Sequence, residues 1–522
     1  MIDTKVLLYA SLAAAGLAFV QRYVIGGHRR KLPHPPSPAS LPFVGNLFSV
    51  PPGLEHLAYL ELGKQLNSDI VYLDIIGQPL IILNSAQTAV DLFEKRSAIY
   101  SDRTSAPILK NPGLLDWSTF IPLLPYDDPW RRQRRRINNW LNLRAVRQFD
   151  GLQQDAIRHL LGRLLDTSPS PQPFERVKRQ FFFAMGSATF ELAYGYRPTS
   201  DQDPFLANAA EASDNLFNAT MMSNFLANAF PALSYIPGWL PGTGWKRTVQ
   251  KWREHKNQAV DAPYEWTKQQ VAAGEFEPSV LSALLQDDKL SSGLPAEERE
   301  KELKELAYVL FVGGTDTSAT ALVSFVAAMV TNPEAQVKAQ AEIDSVLGYA
   351  TRLPTTFDEV QLPYVRNLIL EVLRWQPVGP TGGIPHVCYQ DDVYRGYGIQ
   401  KGTILFGNAW AMSRDETVYK NSENFDPDRF LDPSVPHLPA FGWGRRKCPG
   451  IHFAEASLFL AISSMLTAFT FSRKKDIDGK EIIPTIEGAF NNLSIVHKPF
   501  EFELRPRSEK HRQLILVNIP KE

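Results

Sequence analysis

Residues 441–450 read FGWGRRKCPG and contain Cys448, one of the two cysteines in a chain of 522 residues. The glycines at positions 442, 444 and 450 allow a tight backbone path that can pass close to a flat ligand. Amide N–H groups directed at the sulfur would stabilise the thiolate of Cys448. The mostly apolar stretch from Ile451 to Leu466 predicts a helix whose N-terminal dipole also favours an anion there. The sequence therefore predicts a loop that presents Cys448 as an anionic metal ligand.

This loop resembles the haem-binding signature of the cytochrome P450 superfamily at Phe441, Gly444, Arg446, Cys448 and Gly450. The resemblance implies haem b as the cofactor, with Cys448 as the proximal ligand of the iron. It also implies that Phe441 packs near the sulfur and that Arg446 binds a haem propionate. A thiolate donates electron density to iron and favours O–O cleavage, so the implied activity is that of a monooxygenase. The alternative is a buried cysteine in a glycine-rich turn.

The overall composition fits this interpretation and excludes several other classes of protein. The chain is 44% apolar and 21% charged, which is ordinary for a folded core, and its net charge of −1 gives no reason to expect nucleic acid as a partner. Two cysteines cannot form a disulfide framework or a four-thiolate zinc or iron–sulfur site. Cys388 lies outside any glycine-rich loop, and we expect it to be packed and inert.

A second motif lies in the middle of the chain, where residues 302–330 predict one long helix that contains GGTDTS at positions 313–318. Adjacent glycines inside a helix cost roughly 1 kcal/mol each relative to alanine, which a flat ligand against the backbone could offset. The motif resembles the central-helix motif of the family. That resemblance implies that Gly313 and Gly314 adjoin the cofactor, that Thr317 holds water near the iron and that Asp316 relays protons. The alternative is a kinked helix with a solvated Asp316 and a Thr317 bonded back to its own helix.

Glu371 and Arg374 place opposite charges three residues apart on a predicted helix. Their neighbours are apolar, so we expect the pair to be buried, where it needs further hydrogen-bond partners. The resemblance matches Glu371, Arg374 and Arg429 to the charge triad of the family, which secures the cysteine loop. Their predicted role is structural.

Candidate partners for the haem carboxylates lie in two other segments. Trp130 and Arg134 are neighbours on one face of a predicted helix and match the Trp-x-x-x-Arg pair of the family. His386 matches another propionate-binding position with less specificity, and its alternative is an ordinary core or surface histidine. An arginine or a neutral histidine can bind a carboxylate that is partly removed from water.

Five arginines lie between positions 131 and 136. Such a run is typical of a solvated face or of a nucleic-acid or nuclear-targeting segment. We favour a third interpretation, in which the arginines off the haem-facing side join Arg445 and Lys447 to bind an acidic electron donor.

The N-terminus predicts a membrane anchor at residues 1–27. The apolar stretch from Val6 to Gly27 would span ~33 Å as a helix, close to the ~30 Å hydrocarbon core of a bilayer. The basic residues 28–31 favour the cytoplasmic side. Five prolines between positions 32 and 42 predict a stiff, extended spacer, so we assign residues 28–46 to a linker and 47–522 to the catalytic domain. We expect a single-pass protein of the endoplasmic reticulum with a cytosolic catalytic domain; the alternative is a cleaved signal peptide.

The remaining pattern predicts a cytochrome P450-like fold that is mainly α with a small β portion, in a single large domain. Helical patterns run with interruptions from Trp130 to Leu347. The predicted smaller elements are a strand pair at Val71–Asp74 and Pro79–Leu83, a short helix at Ala86–Arg96, and strands between Ile384 and Phe406 with turns at Gly396, Gly398 and Gly402.

The substrate is predicted from the segments that vary within the family. These segments carry few charges and favour an apolar or aromatic small molecule; they are Thr104–Pro125, Ala219–Trp245, Val378–Gly383 and Ile486–Ile495.

The chain is similar to fungal microsomal members, which implies secondary metabolism or xenobiotic oxidation. It has no flavin- or nicotinamide-binding fingerprint, so we expect O₂ as co-substrate and electrons from NADPH through a separate cytochrome P450 reductase. The alternatives are a haem-thiolate isomerase or dehydratase that uses no O₂, and a non-enzymatic haem sensor.

Overall fold

The structure is a computed structural model that describes residues 32–104, 107–168, 170, 172–220, 224–229, 231–287, 289 and 293–520. The predicted anchor at residues 1–27 therefore lies outside the described residues. The fold is mainly helical with a small β portion, as predicted. Its helices are α1 (Glu55–Gln65), α2 (Ala86–Ala89), α3 (Pro107–Lys110), α4 (Asp128–Leu141), α5 (Asp150–Thr167), α6 (Phe174–Tyr194), α7 (Pro204–Thr220), α8 (Leu226–Ala229), α9 (Gly244–Ala273), α10 (Val280–Gln286), α11 (Ala296–Thr331), α12 (Pro333–Leu347), α13 (Pro363–Trp375), α14 (Ala409–Ser413), α15 (Ile451–Ala468) and α16 (Glu509–Asn518).

The strands form one four-stranded sheet and two two-stranded antiparallel sheets. They are β1 (Ile70–Ile75), β2 (Gln78–Leu83), β3 (His386–Val387), β4 (Asp392–Tyr394), β5 (Tyr397–Ile399), β6 (Ile404–Gly407), β7 (Phe469–Ser472) and β8 (Glu503–Pro506). The order β1-β2-β6-β3 places the predicted antiparallel pair β1–β2 beside β6, which runs parallel to β2. This sheet therefore joins the beginning of the chain to its last third.

Two of the predicted turns are confirmed, and the third is wrong. Gly396 and Gly402 have positive φ and lie between strands, whereas Gly398 lies inside β5 and pairs with Val393. A Cβ at Gly398 would lie 3.2 Å from the Cβ of Leu32, and its amide donates to Pro33 O at 2.9 Å. Gly398 thus allows the incoming chain to pack against the strand.

The described part of the predicted linker is bound to the sheet. Besides the bond from Gly398 to Pro33, the Tyr72 amide donates to Pro36 O at 2.9 Å and the Asn46 amide donates to Asp74 O at 2.6 Å. The chain is extended here, as its prolines predict, but residues 33–46 do not form a free spacer. The reason is that β1 and β5 have backbone N–H and C=O groups at their free edges, and this segment forms hydrogen bonds with them.

The helix predicted at Ala86–Arg96 is an α-helix only as far as Ala89, and residues 90–95 continue as a π-helix. The wider turn places Phe93 against the rings of His386 and Trp443, with centroids 4.1 and 5.4 Å away. π-turns are rare in proteins, but those that occur often lie at functional sites.

The long helix α11 is the centre of the fold and begins six residues before the predicted start at Glu302. Its first half packs into one apolar cluster with Trp117 and Phe190, and its second half packs into another with Phe459. The glycine-containing segment 313–318 lies between these two clusters.

Among the described residues, α11 and α15 are long and apolar enough to cross a membrane. Their most apolar windows are 67% and 72% buried inside the protein, which is typical of core helices.

Candidate active site

The cysteine loop is a tight turn directly before α15. Gly444 has a positive φ, and a Cβ there would lie 2.1 Å from Phe93 O, so a side chain at this position would collide with the π-turn. The Cys448 amide donates to Phe441 O at 2.9 Å and closes the loop. Burial raises the pKa of the Cys448 thiol, while a hydrogen bond from the Gly450 amide and the charge of Arg134 lower it. The loop therefore holds one sulfur beside an amide donor and a cation.

Arg446 is held under the indole ring of Trp130. Its Nε donates to Ser101 O at 2.6 Å, its Nη2 donates to Leu124 O at 2.8 Å, and its guanidinium lies 4.5 Å from the Trp130 ring centroid. Its Nη1 is buried and has no hydrogen-bond partner among the described residues. Burial lowers the pKa of Arg446 to about 10. The site thus holds a desolvated cation with one donor left over.

Arg134 lies one turn after Trp130 on α4 and donates to Lys447 O, next to the cysteine. Its guanidinium is half-buried, and burial lowers its pKa. Trp130 and Arg134 therefore both reach the cysteine loop from the same face of α4, as their spacing predicts.

Arg103 is a half-buried arginine of the same site, and the sequence pattern gave it no role. Its Nη1 donates to Ile384 O at 2.7 Å and to Pro385 O at 2.8 Å, and its Nε is buried without a partner among the described residues. Burial and the nearby charge of Arg446 hold its pKa well below the usual range. Its position in a loop carries no helical spacing, so only the fold reveals it.

His386 lies beside Arg103 but does not fit the predicted propionate-binding role in its neutral form. Its Nδ1 donates to Tyr100 O at 2.6 Å, since a carbonyl can only accept, and the remaining Nε2 is then an acceptor. Burial and the charges of Arg103 and Arg446 hold the pKa of His386 well below its usual range. A bond to a carboxylate would require a second proton, on Nε2.

These groups fit a haem. Buried cations require an anion, and Arg103 and Arg446 each retain an orphaned buried N–H that a carboxylate could satisfy. Arg134 and Cys448 complete the set, with a sulfur that could bind iron. A haem carries two carboxylates and an iron that can bind a thiolate. Cys448 would therefore bind its iron, and Arg103, Arg446 and Arg134 would face its propionates.

The two glycines of the central helix face different surroundings. Nothing lies within 4 Å of a Cβ built on Gly313, and this glycine is exposed in the middle of a buried helix. A Cβ on Gly314 would lie 2.6 Å from Thr189 Cγ2 on α6. Gly313 is therefore open to a ligand, whereas Gly314 allows close packing between α11 and α6.

The acid and the alcohol of the motif point to different partners. The Thr317 hydroxyl donates to Gly313 O at 2.7 Å, the back-bonding geometry that the alternative interpretation requires. Asp316 makes a side-chain hydrogen bond with Ser494, and burial raises its pKa. A carboxyl with a raised pKa takes up and releases a proton more readily near neutral pH.

The comparisons with known proteins agree with this geometry. The model of the cytochrome P450 family matches residues 35–499. The chain belongs to the cytochrome P450 family. It is therefore an oxidoreductase of the P450 monooxygenase class, with haem iron as its cofactor and with O₂ and a redox partner as its co-reactants.

Fungal proteins are among the relatives of this P450. Two from Postia placenta, named cytochrome P450 monooxygenase 98 and 208, are 34% and 36% identical over 95% and 98% of this chain and 94% and 98% of theirs. The tryptamine 4-monooxygenase of Psilocybe cyanescens is 33% identical over 97% of this chain and 98% of its own. A solved structure of a zebrafish cytochrome P450 with progesterone has a TM-score of 0.72 at 22% identity, covering 87% of this chain and 100% of that one, and shows the fold.

The predicted charge triad of this P450 is assembled inside the protein. Arg429 Nε donates to Glu371 Oε1 at 3.0 Å, and the Asp426 amide donates to the same oxygen at 2.8 Å. Arg374 donates to Glu371 and to the carbonyls of Ser413, Ser422 and Asn424. The remaining donors are thus satisfied, as burial of an ion pair requires.

The basic run divides into exposed and buried members. Arg132 and Arg136 both pair with the buried Glu302 of α11, and their side chains are 17% and 0% exposed. The predicted docking role is wrong for these two, because both side chains are turned inward and paired with a buried carboxylate. Arg131 and Arg135, with Arg445 and Lys447 of the cysteine loop, are exposed.

A cavity of about 300 Å³ lies beside Arg103, between β6, the loop before α4 and the segment after α13. All four predicted substrate segments contribute to its wall, through Thr104, Thr220, Thr381 and Leu493 among others.

Several apolar residues of the predicted substrate segments lie in the core. Ile108, Leu115 and Trp117 are 0%, 1% and 1% exposed, and none of them lines this cavity. The wall also includes Glu55, Tyr59 and Phe406, which no sequence pattern pointed to.

Cys388 is packed, as predicted. It is buried, its thiol donates to Gln390 O at 2.8 Å, and burial raises its pKa to about 12.

Proposed function

We propose that this P450 inserts one oxygen atom from O₂ into a small apolar or aromatic molecule of secondary or xenobiotic metabolism. The observation that supports this most is the set of buried guanidinium donors around Cys448, since it fits one thiolate-bound haem. A thiolate-bound haem iron activates O₂ for insertion into a C–H bond or an aromatic ring. One relative is named for the oxidation of tryptamine, an aromatic amine, which supports an aromatic substrate.

The protein's own groups would perform three tasks in this reaction. The loop at 441–450 holds the sulfur of Cys448 beside the amide donor of Gly450. On α11, Gly313 leaves open space, and the Thr317 hydroxyl and the Asp316 carboxyl can hold water there and pass protons. The mostly apolar wall of the cavity beside Arg103 would bind the body of the substrate.

Electrons would come from NADPH through a separate reductase that docks on the cysteine-loop side. The exposed arginines there, Arg131, Arg135 and Arg445, support an acidic partner surface. We further propose that the chain is anchored in the endoplasmic reticulum membrane by residues 1–27, with residues 28–46 as connection and 47–522 as catalytic domain. Phe43 and Phe48, at the end of this connection and the start of the catalytic domain, are 65% and 75% exposed, which supports a nearby membrane surface.

The test has two parts. The purified protein is reduced in the presence of carbon monoxide, and a strongly red-shifted Soret band is expected for thiolate ligation. Turnover with a reductase and ¹⁸O₂ is then measured over terpenoid, steroid, indole and polycyclic aromatic compounds. Product that carries one labelled oxygen supports the proposal; product without label, formed without NADPH, would point to an isomerase or dehydratase instead.

A further inference from the structure

The cavity beside Arg103 contains one carboxylate in an otherwise mostly apolar wall. Glu55, the first residue of α1, is half-buried and lines this cavity together with Pro107, Leu123 and Phe406. Apolar pockets take their specificity from a few precisely placed polar groups. Glu55 is therefore a candidate for recognition of a charged part of a ligand.

The position of Glu55 is fixed by the substrate segment at residues 486–495. The Glu55 amide donates to Asn491 Oδ1 at 2.8 Å, and Asn491 Nδ2 donates to Gly53 O at 2.9 Å. These two bonds hold the start of α1 against a segment that also supplies Leu493 to the cavity wall. The carboxylate thus projects from a rigid turn.

No cation of the described chain compensates the charge of Glu55. Burial raises its pKa, and no neighbouring charge offsets this. The adjacent His56 does not supply one, because burial and Arg414 lower its pKa to about 4 and it is neutral above that pH. The N-terminal dipole of α1 favours the ionised form of a carboxylate in the first turn. A desolvated, unpaired carboxylate gains free energy from a cation that enters the cavity.

The one cation in the cavity wall would not repel such a ligand. Arg103 also lines the wall, but it would face the haem propionates, whose negative charge neutralises it. The remaining wall residues are neutral. The cavity therefore presents one anionic end and an apolar body.

We infer that Glu55 is a specificity-determining residue that binds the protonated amine of a substrate whose body is apolar or aromatic. This inference rests on the monooxygenase function proposed above and names the chemical class of its substrate. The ammonium group would lie against the Glu55 carboxylate, and the apolar body would extend along the wall toward Arg103.

The test compares Glu55→Gln with Glu61→Gln, a substitution of an exposed glutamate on the same helix. Both haem-loaded variants and the wild type are titrated with 4-phenylbutyl-trimethylammonium, which cannot ligate iron, and with uncharged 4-phenylbutanol. Binding is followed by the Soret shift and by tryptophan fluorescence. For Glu55→Gln we expect an increase of about tenfold in the Kd of the ammonium compound, the size of one partly buried charge interaction, and no change for the alcohol. Glu61→Gln should bind both compounds as the wild type does.

The inference is overturned if Glu55→Gln binds the ammonium compound as tightly as the wild type, or if both compounds weaken equally. Failure of the underlying function is separate, because it would appear as the absence of the red-shifted carbon monoxide band in all three proteins.

Discussion

Glu371 and Arg374 form a bidentate ion pair inside the protein, with Nε and Nη2 of the arginine each 2.7 Å from a different carboxylate oxygen. Both side chains are fully buried. The pair lies one turn apart on α13, and its outer hydrogen bonds reach the segment at 413–429 that precedes the cysteine loop. It therefore ties a core helix to the part of the chain that leads to Cys448.

We predict that Glu371→Ala destabilises the protein by about 3–5 kcal/mol, because it leaves two buried guanidinium groups unpaired. Thermal unfolding should occur at a much lower temperature, and the purified protein should lack the red-shifted carbon monoxide band. Glu359→Ala is the control, since Glu359 pairs with Arg366 at 3.6 Å on the surface and its loss should cost less than about 1 kcal/mol. Equal stability of the two variants would contradict the predicted structural role of Glu371.

We predict that Arg103→Gln releases haem about tenfold faster than the wild type, because one charge-assisted bond to a carboxylate is lost. The rate is measured by transfer of haem to an excess of apomyoglobin. Arg395→Gln, which removes an exposed arginine paired with Asp69, is the control and should retain haem normally. Unchanged retention in Arg103→Gln would show that its orphaned Nε does not face a propionate.

The sequence predicted those parts of the site that are contiguous or periodic. The loop around Cys448 is one short segment, and Trp130 and Arg134 share a helix face, so residue types at fixed spacing were enough. Arg103 and Glu55 were missed because neither has a partner nearby in the sequence. Each acquires its role only when segments far apart in the chain form one cavity wall.

Long-range contacts also explain what the sequence pattern did not reveal. Arg136 lies in a basic run, yet Glu302 lies 2.6 Å from it across the fold and neutralises it. Gly314 stands beside Gly313 in the sequence, but one residue of helical rotation turns it toward Thr189. The π-turn at 90–95 follows from contacts of Phe93 with His386 and Trp443, which no local propensity records.

We predict that Arg135→Glu raises the KM for the reductase about three- to tenfold at low salt and that the difference shrinks as ionic strength rises. Arg135 is exposed on the cysteine-loop side, where an acidic partner would feel the reversed charge. Arg505→Glu reverses an exposed charge on β8 and serves as the control. A reductase KM that is the same for both variants at all salt concentrations would argue against docking on this face.

We predict that Thr317→Ala lowers substrate oxidation about tenfold or more and raises the hydrogen peroxide released per NADPH consumed. The reason is that the hydroxyl, which donates to Gly313 O at 2.7 Å, would no longer hold water on the open side of α11. Thr317→Ser keeps the hydroxyl and is expected to restore most of the coupling. Peroxide and product are measured together with NADPH consumption. Normal coupling in Thr317→Ala would contradict the proposed role of the hydroxyl in holding water and leave only its hydrogen bond to Gly313 O.

Finally, we predict that the protein loses stability as the pH falls from about 6.5 toward 4. Burial lowers the pKa of His56 and of His497 to about 4, whereas a histidine in the unfolded chain titrates near 6.5. Between these values the unfolded chain binds more protons than the folded one, so the free energy of unfolding falls by up to about 1.4 kcal/mol per pH unit for each histidine. The stabilisation that each buried neutral histidine contributes is complete above the pKa it has in the unfolded chain.

His497 bonds to Ser324 at 2.9 Å, and His497→Gln can keep that bond without the titrating ring. The free energy of unfolding in urea, measured between pH 7.5 and 4.5, should therefore fall less steeply with falling pH for His497→Gln than for the wild type. Equal slopes would mean that His497 does not contribute to the pH dependence of stability.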